Sequence, residues 1–104
     1  MTSYDVGTLE DFVSGAARQI RVADRLLVVV RIDDDVYVLD DRCSHEDFSL
    51  AEGEVDVKNR ELECARHGAM FRLSDGEPVS FPATRPVAHY DVHQRDGRIE
   101  VIIS

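Results

Sequence analysis

Four side chains in this sequence combine into one piece of chemistry. Cys43 and His45 stand in the run Cys-Ser-His, and eighteen intervening residues later Cys64 and His67 stand in Cys-Ala-Arg-His. Each run is a pincer of one thiolate and one imidazole. A [2Fe–2S] centre of mixed ligation needs two of each, with both cysteines on one iron and both histidines on the other. Each pincer would then give its cysteine to the first iron and its histidine to the second. Two thiolates and two bridging sulfides balance two ferric ions when both histidines are neutral, whereas four thiolates leave a dianion. An added electron therefore costs less beside histidines, and the potential rises. A structural zinc site accepts the same ligand types, but its motifs pair like with like, and these mixed pincers fit it poorly.

Hydrogen bonds to the sulfurs favour the reduced core, so each missing donor lowers the potential. Behind His67 the chain reads Gly68-Ala69-Met70-Phe71, and neither Ala69 nor Phe71 carries a side-chain donor. Backbone N–H groups are left to do this, with Gly68 permitting close approach. The expected potential is near the bottom of the range for this ligation, roughly −150 mV. Because reduction raises the affinity of the free ring nitrogens of His45 and His67 for protons, the potential should fall with pH once those protons titrate in the oxidised form. Phe48, Met70, Phe71 and Phe81 serve equally as shields against water or as filling for a small core.

The elements that must hold these pincers read almost entirely as strands. Residues 19–23 and 25–32 are β-type runs, and Asp33-Asp34-Asp35 turns the second into 36–39. Residues 87–93 and 98–103 flank Gln94-Arg95-Asp96-Gly97, whose Asp-Gly pair suits a tight hairpin. Asp75-Gly76 marks another turn behind the second pincer. Thr8 to Ala17 is expected to be helical for one or two turns, with Thr8 as N-cap and Glu10 and Asp11 in the first turn. His89 and His93 form an H-x3-H pair, but on a strand they lie roughly 13 Å apart and are expected to be surface residues. The layout predicts a β base, residues 1–42 and 74–104, carrying an inserted subdomain at about 43–73 whose two loops hold the metal.

With 104 residues the chain suits one domain, and its net charge of −9 argues against binding the nucleic-acid backbone and for basic protein partners. The acidic runs Asp33 to Asp35, Asp40-Asp41 and Glu52 to Asp56 read equally as solvated turns. The N-terminus has no signal-peptide pattern, and the longest aliphatic run, Leu26 to Val30, is too short to cross a bilayer. With both cysteines assigned as ligands, no thiol remains for a disulfide, and a cytoplasmic location is expected. No Rossmann fingerprint, phosphate loop or 2-His-1-carboxylate site is present, so electron transfer is expected rather than catalysis.

Cys-x-His, eighteen residues, Cys-x-x-His-Gly, then Phe71, Asp75-Gly76 and Phe81-Pro82-Ala83-Thr84-Arg85-Pro86-Val87 together resemble the Rieske-type ferredoxins of bacterial multicomponent oxygenases. The resemblance spans essentially the whole chain. It implies an all-β fold of antiparallel sheets, one [2Fe–2S] cluster on Cys43, His45, Cys64 and His67 at one tip, and a proline loop at 81–86, with Pro82, packed over it. The respiratory relatives carry an extra cysteine in each cluster loop, a membrane anchor, and a Ser and a Tyr where this chain has Ala69 and Phe71. The implied role is that of a monomeric, soluble one-electron carrier between a flavin-dependent reductase and a terminal oxygenase. His45 and His67 would form the exit, and Glu46, Asp47 and Arg66 a polar rim for docking. A small subunit of a nitrite reductase and a ferredoxin for iron–sulfur assembly are the alternatives.

Overall fold

The computed structural model describes residues 2–42, 49–65, 68–79 and 85–103. Nine strands lie within them: β1 (Thr2–Thr8), β2 (Ala16–Val22), β3 (Arg25–Ile32), β4 (Asp35–Asp40), β5 (Val55–Asp56), β6 (Glu61–Glu63), β7 (Met70–Arg72), β8 (His89–Arg95) and β9 (Arg98–Ile103). Six form an antiparallel sheet in the order β1-β9-β8-β4-β3-β2, and β5-β6-β7 form a second, smaller one. The large sheet curls until its two margins face each other across a cleft lined by Tyr4 and Val6 of β1 and by Ile20 and Val22 of β2. The small sheet is built from residues of the 43–73 stretch, and the large one from strands on either side of it.

Strand β3 organises the packing. Leu27, Val28, Val29 and Val30 are all fully buried, so the usual one-sided alternation of a strand is absent. Val28, Val30 and Ile32 point to a cluster containing Leu50, Leu62, Phe71, Leu73 and Val87. Leu27 and Val29 point the other way, to Phe12, Val38, Ile99, Val101 and Ile103 inside the curl. The strand thus serves two cores at once, one on each face. At roughly 25 cal/mol per Å² of apolar surface, burial on both faces makes it the most strongly held strand of the sheet.

The turns follow backbone sterics. Asp96 (φ 54°) and Gly97 (φ 79°) close the β8–β9 hairpin with two left-handed residues, as the Asp-Gly pair predicts, although the strands run on to Arg95 and leave only these two as the turn. Ala23 (φ 48°) and Asp24 (φ 67°) make an equivalent turn between β2 and β3. The sequence reading placed Ala23 inside a strand, since alanine rarely adopts this conformation.

The helix expected over Thr8 to Ala17 is a single 3-10 turn at Leu9–Asp11, with Thr8 at its N-cap and Ala16 already in β2. Arginine side chains take the carbonyls a helix would need. Arg31 Nη1 donates to Leu9 O at 3.2 Å and to Phe12 O at 2.9 Å, while Arg18 Nη1 donates to Asp11 O at 2.9 Å. Gly15, at φ 83°, then redirects the chain into the strand.

Candidate metal centre

Cys64 follows directly on β6, fully buried among Leu50, Leu62, Ala69 and Phe71. Two backbone bonds close the chain behind it: Cys64 N–H donates to Ala69 O at 2.7 Å, and Gly68 N–H donates to Cys64 O at 2.8 Å. Gly68 has φ 72°, the left-handed value such a tight closure requires. Its N–H is thereby engaged in closing the loop that carries Cys64. Ala69 and Phe71 are fully buried and bring no side-chain donor to the region.

Cys43, His45 and His67 lie outside the described residues, as do Phe48, Phe81, Pro82 and the expected rim of Glu46, Asp47 and Arg66. The roots of these segments are described, and they converge. Arg42 and Ser49 form an antiparallel bridge at the foot of segment 43–48. The foot of segment 80–84 is held by Val79 N–H on Met70 O at 2.8 Å and by Val87 N–H on Gly76 O at 2.9 Å. Asp40 N–H donates to Ala88 O at 2.8 Å, tying the first root to the third. Leu50, Cys64 and Val87, one from each root, belong to one buried cluster. A soft thiolate held in an apolar, closed loop beside two further loop roots is a donor arrangement that fits an iron–sulfur group.

Two glycines make this convergence possible. A Cβ on Gly53 would stand 1.5 Å from Glu63 O, so the segment behind the first pincer touches the strand leading to Cys64 backbone to backbone. A Cβ on Gly76 would stand 2.1 Å from Val87 O, the same close approach at the third root.

The sequence reading missed Asp41. Grouped with Asp40 as a solvated acidic run, it is 4% exposed and is the one buried charged residue among those described. Its carboxylate accepts from Ser49 Oγ at 2.6 Å, from Ala51 N–H at 2.8 Å and from Gln19 Nε2. Asp40 accepts from Tyr90 OH at 2.6 Å, and Arg25 Nη1 lies 3.1 Å from the same hydroxyl. Burial, followed by the Asp40 carboxylate, pushes the Tyr90 phenol upward. Asp35 is likewise engaged, with Arg60 Nη1 at 2.9 Å, a contact joining the turn before β6 to the large sheet. That partner raises the Arg60 guanidinium further. Asp75 is held below the ordinary carboxylate range first by Glu77 N–H and then by Arg72, as it shapes the turn before Gly76.

His89 and His93 occupy exposed positions on one face of β8, as expected for surface histidines. Among the described residues no three acidic, cysteine or histidine side chains group closely enough to hold a metal ion. No helix among them is long and apolar enough to cross a membrane.

The family described as Rieske [2Fe–2S] domain matches residues 2–91. The 3-phenylpropionate/cinnamic acid dioxygenase ferredoxin subunit of Photorhabdus laumondii is 34% identical over 104 residues, covering 100% of this chain and 97% of its own. Ferredoxin CarAc of Metapseudomonas resinovorans is 35% identical over 92 residues, covering 88% and 84%. Among solved structures, the ferredoxin of carbazole 1,9a-dioxygenase from Nocardioides aromaticivorans superposes with a TM-score of 0.96 at 31% identity, covering both chains fully. A chain from a complex of reduced oxygenase and oxidized ferredoxin in carbazole 1,9a-dioxygenase gives 0.87 at 33% identity, covering 95% of this chain and all of that one.

Proposed function

Since this chain belongs to the Rieske [2Fe–2S] domain family, we propose that it is the soluble, monomeric ferredoxin of an aromatic-ring oxygenase system, taking one electron at a time from a flavin-dependent reductase and delivering it to a terminal oxygenase. Its relatives are named as ferredoxin subunits, electron-transfer components of dioxygenase systems rather than the enzymes that transform the substrate. The family's cofactor, a Rieske-type [2Fe–2S] cluster, supplies a one-electron couple when bound. Cys43 and Cys64 would hold one iron and His45 and His67 the other.

The chain's own residues supply position and seclusion. Cys64 sits in a loop closed by two backbone hydrogen bonds, which fix the stretch of backbone that carries its sulfur. Leu50, Leu62 and Phe71 keep water from that side of the thiolate. On the family's pattern the inserted unit, about 43–73, would carry both pincers on the β base, with the 81–86 segment packed over them. His45 and His67 form the route by which the electron leaves. Glu46, Asp47 and Arg66 orient a partner whose facing surface is basic, in keeping with the net charge of −9. Two or more protein partners met in turn also suit a transient, salt-sensitive interface.

The observation that carries this reading is the buried, loop-closed Cys64 within a fold matched along its whole length by an oxygenase ferredoxin. The test is an EPR spectrum of anaerobically purified, dithionite-reduced protein, with iron and zinc quantified on the same sample. A rhombic signal with average g below that of all-cysteine [2Fe–2S] proteins, at two irons per chain, supports mixed ligation. Stoichiometric zinc without iron after attempted reconstitution would remove the electron-transfer role. The partner assignment is tested by mixing the reduced protein with purified oxygenase and reductase components and following oxidation and reduction of its visible bands.

A further inference from the structure

Asp41 presents a physical problem: a buried carboxylate loses its hydration, and an apolar side chain of similar volume often serves stability as well or better. Its three donors are an amide, a hydroxyl and a backbone N–H, contributed by β2 on one side and by the chain just beyond the first pincer on the other. Ser49 stands at the N-cap of the 3-10 turn Leu50–Glu52, yet its hydroxyl makes no local cap. It donates instead to Asp41 Oδ2, and Asp41 Oδ1 takes the Ala51 N–H. Asp41 O also accepts Leu50 N–H at 2.8 Å, and Asp41 N–H donates to Leu26 O at 3.1 Å. One residue thereby binds the chain on both sides of residues 43–48 and the scaffold.

We propose that Asp41, anchored by Gln19, is the positioning residue of the first pincer, fixing the span across which Cys43 and His45 are presented. This rests on the ligand assignment above. Fixing both ends of a short loop removes much of the conformational freedom that ligand binding would otherwise have to remove. The clamp acts on the two ends of the segment, and none of its members is among the four proposed ligands.

The geometry dictates the test. Asp41→Ala removes the acceptors of all three bonds and breaks the clamp. Asp41→Asn is the conservative control that keeps it, because its oxygen can accept Ala51 N–H while its amide donates to the Ser49 hydroxyl and to the Gln19 side-chain oxygen after that amide turns over. Ser49→Ala removes one strand of the clamp with little risk to folding. In full-length protein loaded with iron, Asp41→Ala is expected to shorten the lifetime of the visible cluster bands under a chelator at least tenfold and to shift the reduced-state g values. Ser49→Ala should shorten it several-fold, and Asp41→Asn should stay within threefold of wild type. A cluster-independent readout is hydrogen exchange, in which the Leu50 and Ala51 amides should exchange at least tenfold faster in Asp41→Ala while Val28 and Val101 do not change. Exchange, g values and lifetime of Asp41→Ala all within twofold of wild type would overturn the proposal. So would a loss in Asp41→Ala spread evenly over the core, or one that Asp41→Asn shares in full. A wild-type protein that forms no [2Fe–2S] centre would sink the ligand assignment, while the exchange result would still decide whether Asp41 fixes the loop.

Discussion

Gly53→Ala is the smallest substitution expected to separate the two pincers. Gly53 has φ −84°, open to any residue, so the cost of a methyl group here is purely steric. That methyl would lie 1.5 Å from Glu63 O and 2.7 Å from its carbon, whereas such contacts do not fall below 3.0 Å, so β6 must retreat by at least 1.5 Å. The shift breaks Glu63 N–H to Glu54 O at 2.9 Å and strains Gly53 N–H to Leu50 O at 3.0 Å. Each such bond contributes about 1 kcal/mol, and forced overpacking adds about 1–3 kcal/mol. Together they predict a loss of about 3–5 kcal/mol, a large part of the roughly 5–15 kcal/mol that holds a domain folded. At about 4–8 °C per kcal/mol, Tm falls by at least about 12 °C. Gly97→Ala is the control: nothing lies within 4 Å of its added methyl and only its φ of 79° is unfavourable, costing about 1–2 kcal/mol. Thermal unfolding followed by circular dichroism compares the two, with iron content measured alongside. A Gly53→Ala drop no larger than that of Gly97→Ala would refute the steric reasoning.

Ala23→Gly relieves a left-handed alanine and should stabilise by about 0.5–1 kcal/mol after allowing for unfolded-state entropy, measurable as a higher denaturant midpoint. Asp5, held low first by Arg98, and Asp75, held low first by Glu77 N–H, contribute stability that is present above the unfolded carboxylate pKa and lost as pH falls through their lowered folded values. Tm should therefore be flat from neutrality down to about pH 4 and fall below it, and Asp75→Asn should flatten part of that acid limb. Tyr90, pushed up by burial, should give a phenolate absorbance phase above the ordinary tyrosine range that disappears in Tyr90→Phe. Ala69→Ser places a hydroxyl in the fully buried closure behind Cys64, and a new donor to sulfur worth about 1 kcal/mol would raise a potential expected near −150 mV by roughly 40 mV in protein-film voltammetry.

The all-β class, the Asp96-Gly97 hairpin and the strand placement of His89 and His93 were legible because local signals carried them: alternation and residues tolerant of positive φ. The continuous run Leu26 to Val30 was readable as β-type but not as the strand between two cores, because nothing local says which side of each residue meets which sheet. The helix at Thr8 to Ala17 was over-read for the same reason. Its caps and acidic first turn were present, but the carbonyls are claimed by Arg18 and Arg31 from elsewhere. Asp41 was hidden by composition: one aspartate in an acidic stretch looks like its neighbours until Gln19, far off in sequence, is folded against it. The spacing of Cys43 with His45 and of Cys64 with His67 is a local feature that the sequence displays directly, although Cys64 alone of the four lies among the described residues, whereas the closeness of Gly53 to Glu63 is not local and was hidden.

The pairing of β1 with β9, from Thr2 opposite Ile103 to Thr8 opposite Arg98, has a consequence for synthesis. At about 5–20 residues per second, β9 leaves the ribosome several seconds after β1, whereas a hairpin such as β3–β4 closes in microseconds. Throughout that interval β1 lacks its ladder partner, and its row of backbone donors and acceptors is open to other chains. The interior face of β3 also waits, because Ile99, Val101 and Ile103 supply much of its cover. The nascent protein therefore passes through its most association-prone state before β9 emerges, and slowing translation across β8 would lengthen that exposure rather than assist folding.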